Sequence, residues 1–138
     1  MAKISFDGLY QYEKLLAELG QDTEKMAKYA IYPAAGMVLE ELKAATPRNT
    51  GDLRDSEILT KFVTDEGQVY TAVVFDGYDR NGTPNSLKAR AIESGTSRMR
   101  KRPFIRPTVN RIKQRVIETM SAGVDEYISK VMEGKSNG

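Results

Sequence analysis

Cysteine and histidine are both absent from this 138-residue chain. Their absence excludes disulfides, zinc-finger ligand spacings, imidazole bases and thiolate nucleophiles, and with them every catalytic triad built on His or Cys. Other chemistry is missing too. The run Gly77-Tyr78-Asp79-Arg80-Asn81-Gly82 lacks the Lys-Ser/Thr of a phosphate-binding loop. No Ser-x-x-Lys stands ready for Ser/Lys catalysis. Asp76, Asp79 and Glu93 can be drawn as an acidic metal cluster, but turn aspartates ordinarily bond their own backbone. The expectation is a chain with no enzymatic activity, no metal and no cofactor. No stretch approaches the ~20 apolar residues of a membrane span, and residues 1–7 carry no apolar leader core. A cytosolic origin with no membrane partner is therefore expected.

What is present is a soluble-protein balance, 40% hydrophobic and 29% charged, with an uneven charge map. Residues 1–79 hold 8 Lys/Arg and 14 Asp/Glu, a net −6. Residues 80–115 hold 11 and 1, a net +10, and residues 116–138 hold 2 and 4, a net −2. A basic centre between acidic flanks implies an anionic partner, or a second copy meeting basic surface with acidic surface.

The length predicts a single domain over 1–138. Leu9, Tyr12, Leu15, Leu16 and Leu19 fall at helical spacing, so residues 1–20 read as an N-terminal helical segment, capped by Ser5 or Asp7 and ended by Gly20. Asp22 caps a second, long helix to about Ala45, with Met26, Ala30, Ala34, Met37, Val38 and Leu42 inward and a kink or break near Pro33. After a turn-rich link at Arg48–Asp52, residues 56–63 and 68–75 form a β-hairpin around the loop 64–67. Residues 76–86 and 94–102 are polar loops expected to be mobile. Residues 87–93 fit a short helix or a third strand. Pro107 suits the first position of a final helix, whose stripe runs from Val109 through Ile112, Val116, Met120, Val124, Tyr127 and Ile128 to about Met132. Gly123 weakens that helix by ~1 kcal/mol relative to Ala, and 133–138 should fray. The fold class is α+β: a small antiparallel sheet packed by a long kinked N-terminal helix and a long C-terminal helix.

The stretch from Glu93 to Pro107 carries the most information. It joins a Gly95-Thr96 turn to Arg98, Arg100, Lys101 and Arg102, then to Pro103-Phe104-Ile105-Arg106-Pro107. Each proline disfavours the α region for its predecessor, so Arg102 and Arg106 are expected to be extended. Phe104 or Ile105 should plug into the core and anchor the segment. The bases could serve as a non-specific nucleic-acid surface, yet the interleaved aromatics of a single-strand binder are missing. Tyr29 and Tyr32 could anchor an interface or be ordinary half-buried tyrosines.

Three pieces stand in order: Thr50-Gly51-Asp52-Leu53-Arg54-Asp55-Ser56 after the long helix, Ala91-Ile92-Glu93-Ser94-Gly95-Thr96 after the hairpin, and Arg102-Pro103-Phe104-Ile105-Arg106-Pro107 before the last helix. Over about residues 20–132 this resembles the minor virion proteins of long-tailed double-stranded-DNA bacteriophages that act in the neck as head–tail connectors or tail-completion components. The resemblance implies a non-enzymatic structural protein of a phage or prophage, a ring homo-oligomer, often a hexamer, contacting neighbouring connector and tail proteins. It would reside in the virion neck after assembly in the host cytoplasm. It assigns structural roles to Thr50, Gly51, Leu53, Arg54, Glu93, Gly95, Thr96, Pro103, Phe104 and Pro107, and leaves Arg98, Arg100, Lys101, Arg102 and Arg106 as the interaction residues, facing protein or DNA phosphates. The alternative from another class is a non-specific nucleic-acid-binding module.

Overall fold

The computed structural model of the protein describes residues 2–48, 51–65 and 67–137, with side chains as far as residue 134. The elements run β1 (Ala2–Asp7), α1 (Tyr10–Glu18), α2 (Thr23–Ala45), α3 (Asp52–Asp55), β2 (Glu57–Leu59), β3 (Val63–Asp65), β4 (Gln68–Phe75), α4 (Asn85–Ser94) and α5 (Ile105–Asn137). The architecture is α+β, with long helices near both ends and a four-stranded antiparallel sheet between them.

β4 is the centre of that sheet. Val69, Thr71, Val73 and Phe75 alternate inward and are buried, as a strand with one packed face requires. Its first edge pairs with the whole of β1, from Ala2↔Val73 to Asp7↔Gln68. Residues 2–7, assigned above to the N-terminal helical segment, are thus a strand. The sequence Ala-Lys-Ile-Ser-Phe-Asp alternates with period two, and Ala2, Ile4 and Phe6 are buried. Ser5 and Asp7 therefore do not cap α1; the Ser5 hydroxyl instead donates to Asp7 at 2.6 Å. At the other end of α1 the expected glycine stop is present. Gly20 has φ 71°, Gly20 N–H donates to Ala17 O, and Gln21 N–H to Leu16 O at 2.7 Å, the two bonds of a Schellman cap.

The second edge of β4 meets an interrupted partner. β2 pairs Leu59 with Val73 and β3 pairs Val63 with Tyr70, so four steps on one arm oppose three on the other. The extra residue makes a bulge and splits the hairpin arm predicted over 56–63. Thr60 repairs the ladder there: its N–H donates to Ala72 O at 2.9 Å and its hydroxyl accepts from Ala72 N at 3.0 Å. The turn is tighter than the predicted 64–67 loop, because Asp65 already pairs with Gln68.

α2 lies between the sheet and α5 and packs against both. Asp22 caps it, accepting from Glu24 N–H at 2.9 Å. Half of its buried residues are alanine (Ala27, Ala30, Ala34 and Ala35), and the others are Met26, Ile31, Val38 and Leu42; Met37 is half-buried. The helix is unbroken through Pro33, which is exposed, so the Tyr29 carbonyl that loses its partner lies on a wet side. Gly123 of α5 sits against it: a Cβ there would stand 2.8 Å from the Ala30 Cα. That close approach explains a glycine in mid-helix. Ile112 and Val124 are buried along the α5 stripe, whereas Met132 is exposed rather than core.

α4 settles residues 87–93 as helix. α5 begins at Ile105, two residues earlier than predicted. Pro107 is consequently at the third helical position rather than the first, and Arg106 is helical rather than extended.

Candidate functional site

A second, smaller core joins the motif pieces. Leu53, Phe75, Ala89 and Phe104 are buried together, with Ile92 and Ile105 against them. Leu53 arrives on α3, a single helical turn preceded by Gly51 at φ 87°. Phe104 meets Phe75 edge to face at 6.0 Å between ring centroids, a favoured aromatic geometry. Phe104 is thus the plug, with Ile105 only partly buried.

Glu93 at the end of α4 organises the start of α5. Its Oε1 accepts from Phe104 N–H and Ile105 N–H, each at 2.7 Å, and its Oε2 accepts from Arg106 N–H at 3.0 Å. A helix leaves its first four N–H groups without internal partners. Three are held here by one carboxylate, and the fourth position is Pro107, which has no N–H to satisfy. This closed accounting is why the helix can begin at Ile105. Burial disfavours the charged form of Glu93, but the hydrogen bonds from Ile105, Arg106 and Phe104 outweigh it and hold its carboxyl below the ordinary range.

Between Glu93 and Phe104 the chain makes a closed loop. Gly95 has φ 79° and lies so near Lys101 that a Cβ would stand 2.9 Å from its backbone nitrogen. Thr96 and Met99 exchange backbone hydrogen bonds of 2.9 and 3.3 Å, and Arg102 N–H donates to Ile92 O at 2.8 Å. The Thr96 hydroxyl accepts from Arg98 N–H. Arg98, Arg100, Lys101, Arg102 and Arg106 are exposed, and none forms an ion pair among the described residues. Arg54 stays outside this convergence and pairs with its neighbour Asp55 at 3.2 Å. Thr50 lies outside the described residues.

Beside the loop is a depression of about 490 Å³, floored by Leu53, Ala91, Ile92 and Met99 and edged by Arg48 and Arg102. Several residues of this region escaped the sequence reading as partners. Asp52 receives Arg80 in a two-pronged ion pair, both bonds 2.9 Å. Asp79 accepts from Asn81 N–H and Thr83 N–H and pairs with Lys88 at 3.1 Å; the Thr83 bond leads the effects that lower its pKa. The Asp-x-Asn-x-Thr spacing signals such a turn. Among the described residues no group of acidic side chains could hold a metal ion.

Glu57 was also missed, because a charged residue in a strand normally points outward. It is 1% exposed. One oxygen accepts from the Thr46 hydroxyl at 2.8 Å, and the other has no hydrogen-bond partner. Burial pushes its pKa up to about 7, against opposing pulls from the Thr46 bond and Lys43. Between the ordinary 4.5 and about 7 the folded state therefore holds a proton that the unfolded chain has lost. Stability should fall as pH rises through that window and level off above it. The expected loss is on the order of 2–3 kcal/mol, and Glu57→Gln should flatten it. Urea titrations at pH 5 and pH 8 on both proteins provide the check.

A family model described as "Bacteriophage HK97-gp10, putative tail-component" matches residues 11–95, more than half of the chain. Comparisons with curated proteins and with solved structures returned no match. The matched span includes the Gly51–Arg54 link and the Glu93–Gly95 turn, the pieces that converge on Phe104 in the smaller core. The chain belongs to the HK97-gp10-like family of bacteriophage tail components, structural proteins of the virion tail and neck.

Proposed function

We propose that this protein forms a head-to-tail ring, often a hexamer in proteins it resembles, that completes the tail for attachment to the DNA-filled head. In this reading the loop 96–102 is a docking element for an acidic protein surface. The observation that carries it is the combination of four exposed bases in the loop, none in an ion pair among the described residues, with a stem held at both ends. Glu93 clamps the helix start, and Phe104 is seated against Phe75. Fixed geometry with opposite charge favours one docking register and suppresses wrong ones. The acidic first half of the chain, net −6 from 8 bases and 14 acids, supplies the opposite sign that a heterologous contact between copies would set against the loop.

The test is charge reversal of Arg98, Arg100, Lys101 and Arg102 to Glu in the phage that encodes the protein. DNA-filled heads and complete tails should accumulate unjoined, with infectious yield down by at least 100-fold. Hydrogen exchange should show the loop tip, Ser97 to Lys101, becoming protected when the protein enters the neck. Normal yield from the reversed variant would overturn the docking role. A nucleic-acid surface would instead reveal itself as a duplex shift with a log–log salt slope near −5 for about six phosphate contacts, lost on reversal.

A further inference from the structure

The depression of about 490 Å³ beside the basic loop has walls of two kinds. Its floor is aliphatic: Leu53, Ala91, Ile92 and Met99 line it, and the last three are only half-buried. Its rim is cationic. Arg48 and Arg102 are exposed there, and neither forms an ion pair among the described residues. Lys88 also lines the depression, with its charge met by Asp79 at 3.1 Å. Asp52, next to Leu53 in the chain, is held by Arg80, and Glu93, next to Ile92, by the start of α5. The nearby carboxylates are thus engaged elsewhere and leave the two arginines as a positive rim. The walls are also set in advance. Arg102 N–H donates to Ile92 O at 2.8 Å, Met99 exchanges backbone hydrogen bonds with Thr96, and Leu53 is seated in the smaller core. A preformed site of this size, within the ~300–1,000 Å³ usual for ligand pockets, loses little to ordering when it binds.

We propose that this depression is a peptide site: it takes one large apolar side chain from an extended segment of another protein, with acidic residues on either side of that anchor. The proposal rests on the reading that the loop 96–102 docks an acidic protein, and it names the part of that protein which is held. Charge complementarity selects the flanks, because Arg48 and Arg102 offer planar forks that fit carboxylates. The aliphatic floor selects the anchor, since a side chain seated in a desolvated pocket carries most of the energy of such a contact while rim charges steer it. Nucleic acid fits less well. It would satisfy the arginines, but the residues lining the depression include no aromatic ring on which a base could stack. A second copy does not supply the segment either. Among the described residues, no exposed large apolar side chain of this chain stands between two acidic neighbours in sequence.

The test uses the full-length protein and two fluorescent, end-blocked peptides, Asp-Asp-Phe-Asp-Asp and Asp-Asp-Ser-Asp-Asp, titrated at physiological salt and read by anisotropy. The Phe peptide should bind at least ~10-fold more tightly than the Ser peptide. Ala91→Phe fills the depression without changing any charge, and should remove that preference while leaving the weak binding of the Ser peptide. Met99→Ser, whose side chain sits on the loop outside both cores, should shrink the preference in the same way if Ala91→Phe lowers the melting temperature. Arg48→Glu with Arg102→Glu, both on the exposed rim, should weaken both peptides about 10-fold or more. Equal affinity for the two peptides, no binding of either, or a preference that survives Ala91→Phe and Met99→Ser overturns the proposal. So does displacement of the Phe peptide by random-sequence duplex DNA more readily than by its own unlabelled form, or self-association of the protein that Ala91→Phe abolishes. Failure of the docking reading looks different. In the phage, if loop charge reversal leaves heads and tails unjoined but Ala91→Phe gives normal yield, the docking loop stands and the peptide site falls. Normal yield from both variants overturns the docking reading itself.

Discussion

Glu93→Ala is expected to be the most damaging single truncation outside the main core, costing about 3–5 kcal/mol. The carboxylate accepts three backbone N–H groups in succession, from Phe104, Ile105 and Arg106. Hydrogen bonds to a charged group contribute ~1.5–3 kcal/mol each, and stranded part-buried donors add their desolvation cost. Arg106 can turn to water, which keeps the total below the sum. Such a loss is a large fraction of the ~5–15 kcal/mol that holds a domain folded. Glu93→Gln provides the graded comparison. It retains the oxygen shared by Phe104 and Ile105 and puts an NH₂ opposite Arg106 N–H, so about 1–2 kcal/mol should be lost. The acid limb has the opposite sign from that of Glu57. The Glu93 pKa is depressed in the folded protein, so its stabilisation is complete above the unfolded value near 4.5 and disappears as pH falls through the folded one. Urea midpoints of wild type, Glu93→Gln and Glu93→Ala at pH 7 and pH 3 would measure both effects. Equal midpoints for Ala and wild type at pH 7 would mean that the clamp is dispensable.

Gly123→Val should destabilise by about 3–4 kcal/mol, and even Gly123→Ala by about 1–2 kcal/mol. Helix propensity points the other way, since Ala is better than Gly by ~1 kcal/mol in a helix interior. The decisive distance is the 2.8 Å between a Cβ at 123 and the Ala30 Cα. That neighbour is backbone, so it cannot swing aside. One whole helix must retreat, and overpacking of this kind costs ~1–3 kcal/mol or occasionally more. Gly36 is the internal control. It also lies within a helix, but a Cβ there meets nothing within 4 Å, so Gly36→Ala should stabilise by ~0.5–1 kcal/mol. Thermal unfolding of the three variants tests the pair of opposite signs; a more stable Gly123→Ala would refute the close-packed crossing.

What the sequence by itself determined was whatever depends on local pattern. Asp22 as a cap, Gly20 as a stop and the alternation of β4 each follow from neighbours within a few residues. The α+β class and the family resemblance were legible for the same reason, because turn glycines, prolines and periodic apolar positions carry their physics in the chain itself. The six-residue alternation of β1 was also legible, but it was overshadowed by the longer helical period beginning at Leu9. Tertiary structure alone decided the rest. Pro107 looked like a first helical residue until a carboxylate fourteen positions earlier took up three donors and let the helix start at Ile105. Gly123 looked like a defect until Ala30 of α2 was found against it. Glu57 looked like a surface residue until its strand met the end of α2 and the Thr46 hydroxyl. Leu53 and Phe104, fifty-one positions apart, share a core only because β4 and α4 bring the link and the loop stem together. Pairings over such separations are set by packing and by the need to satisfy buried polar groups, and no local period encodes them.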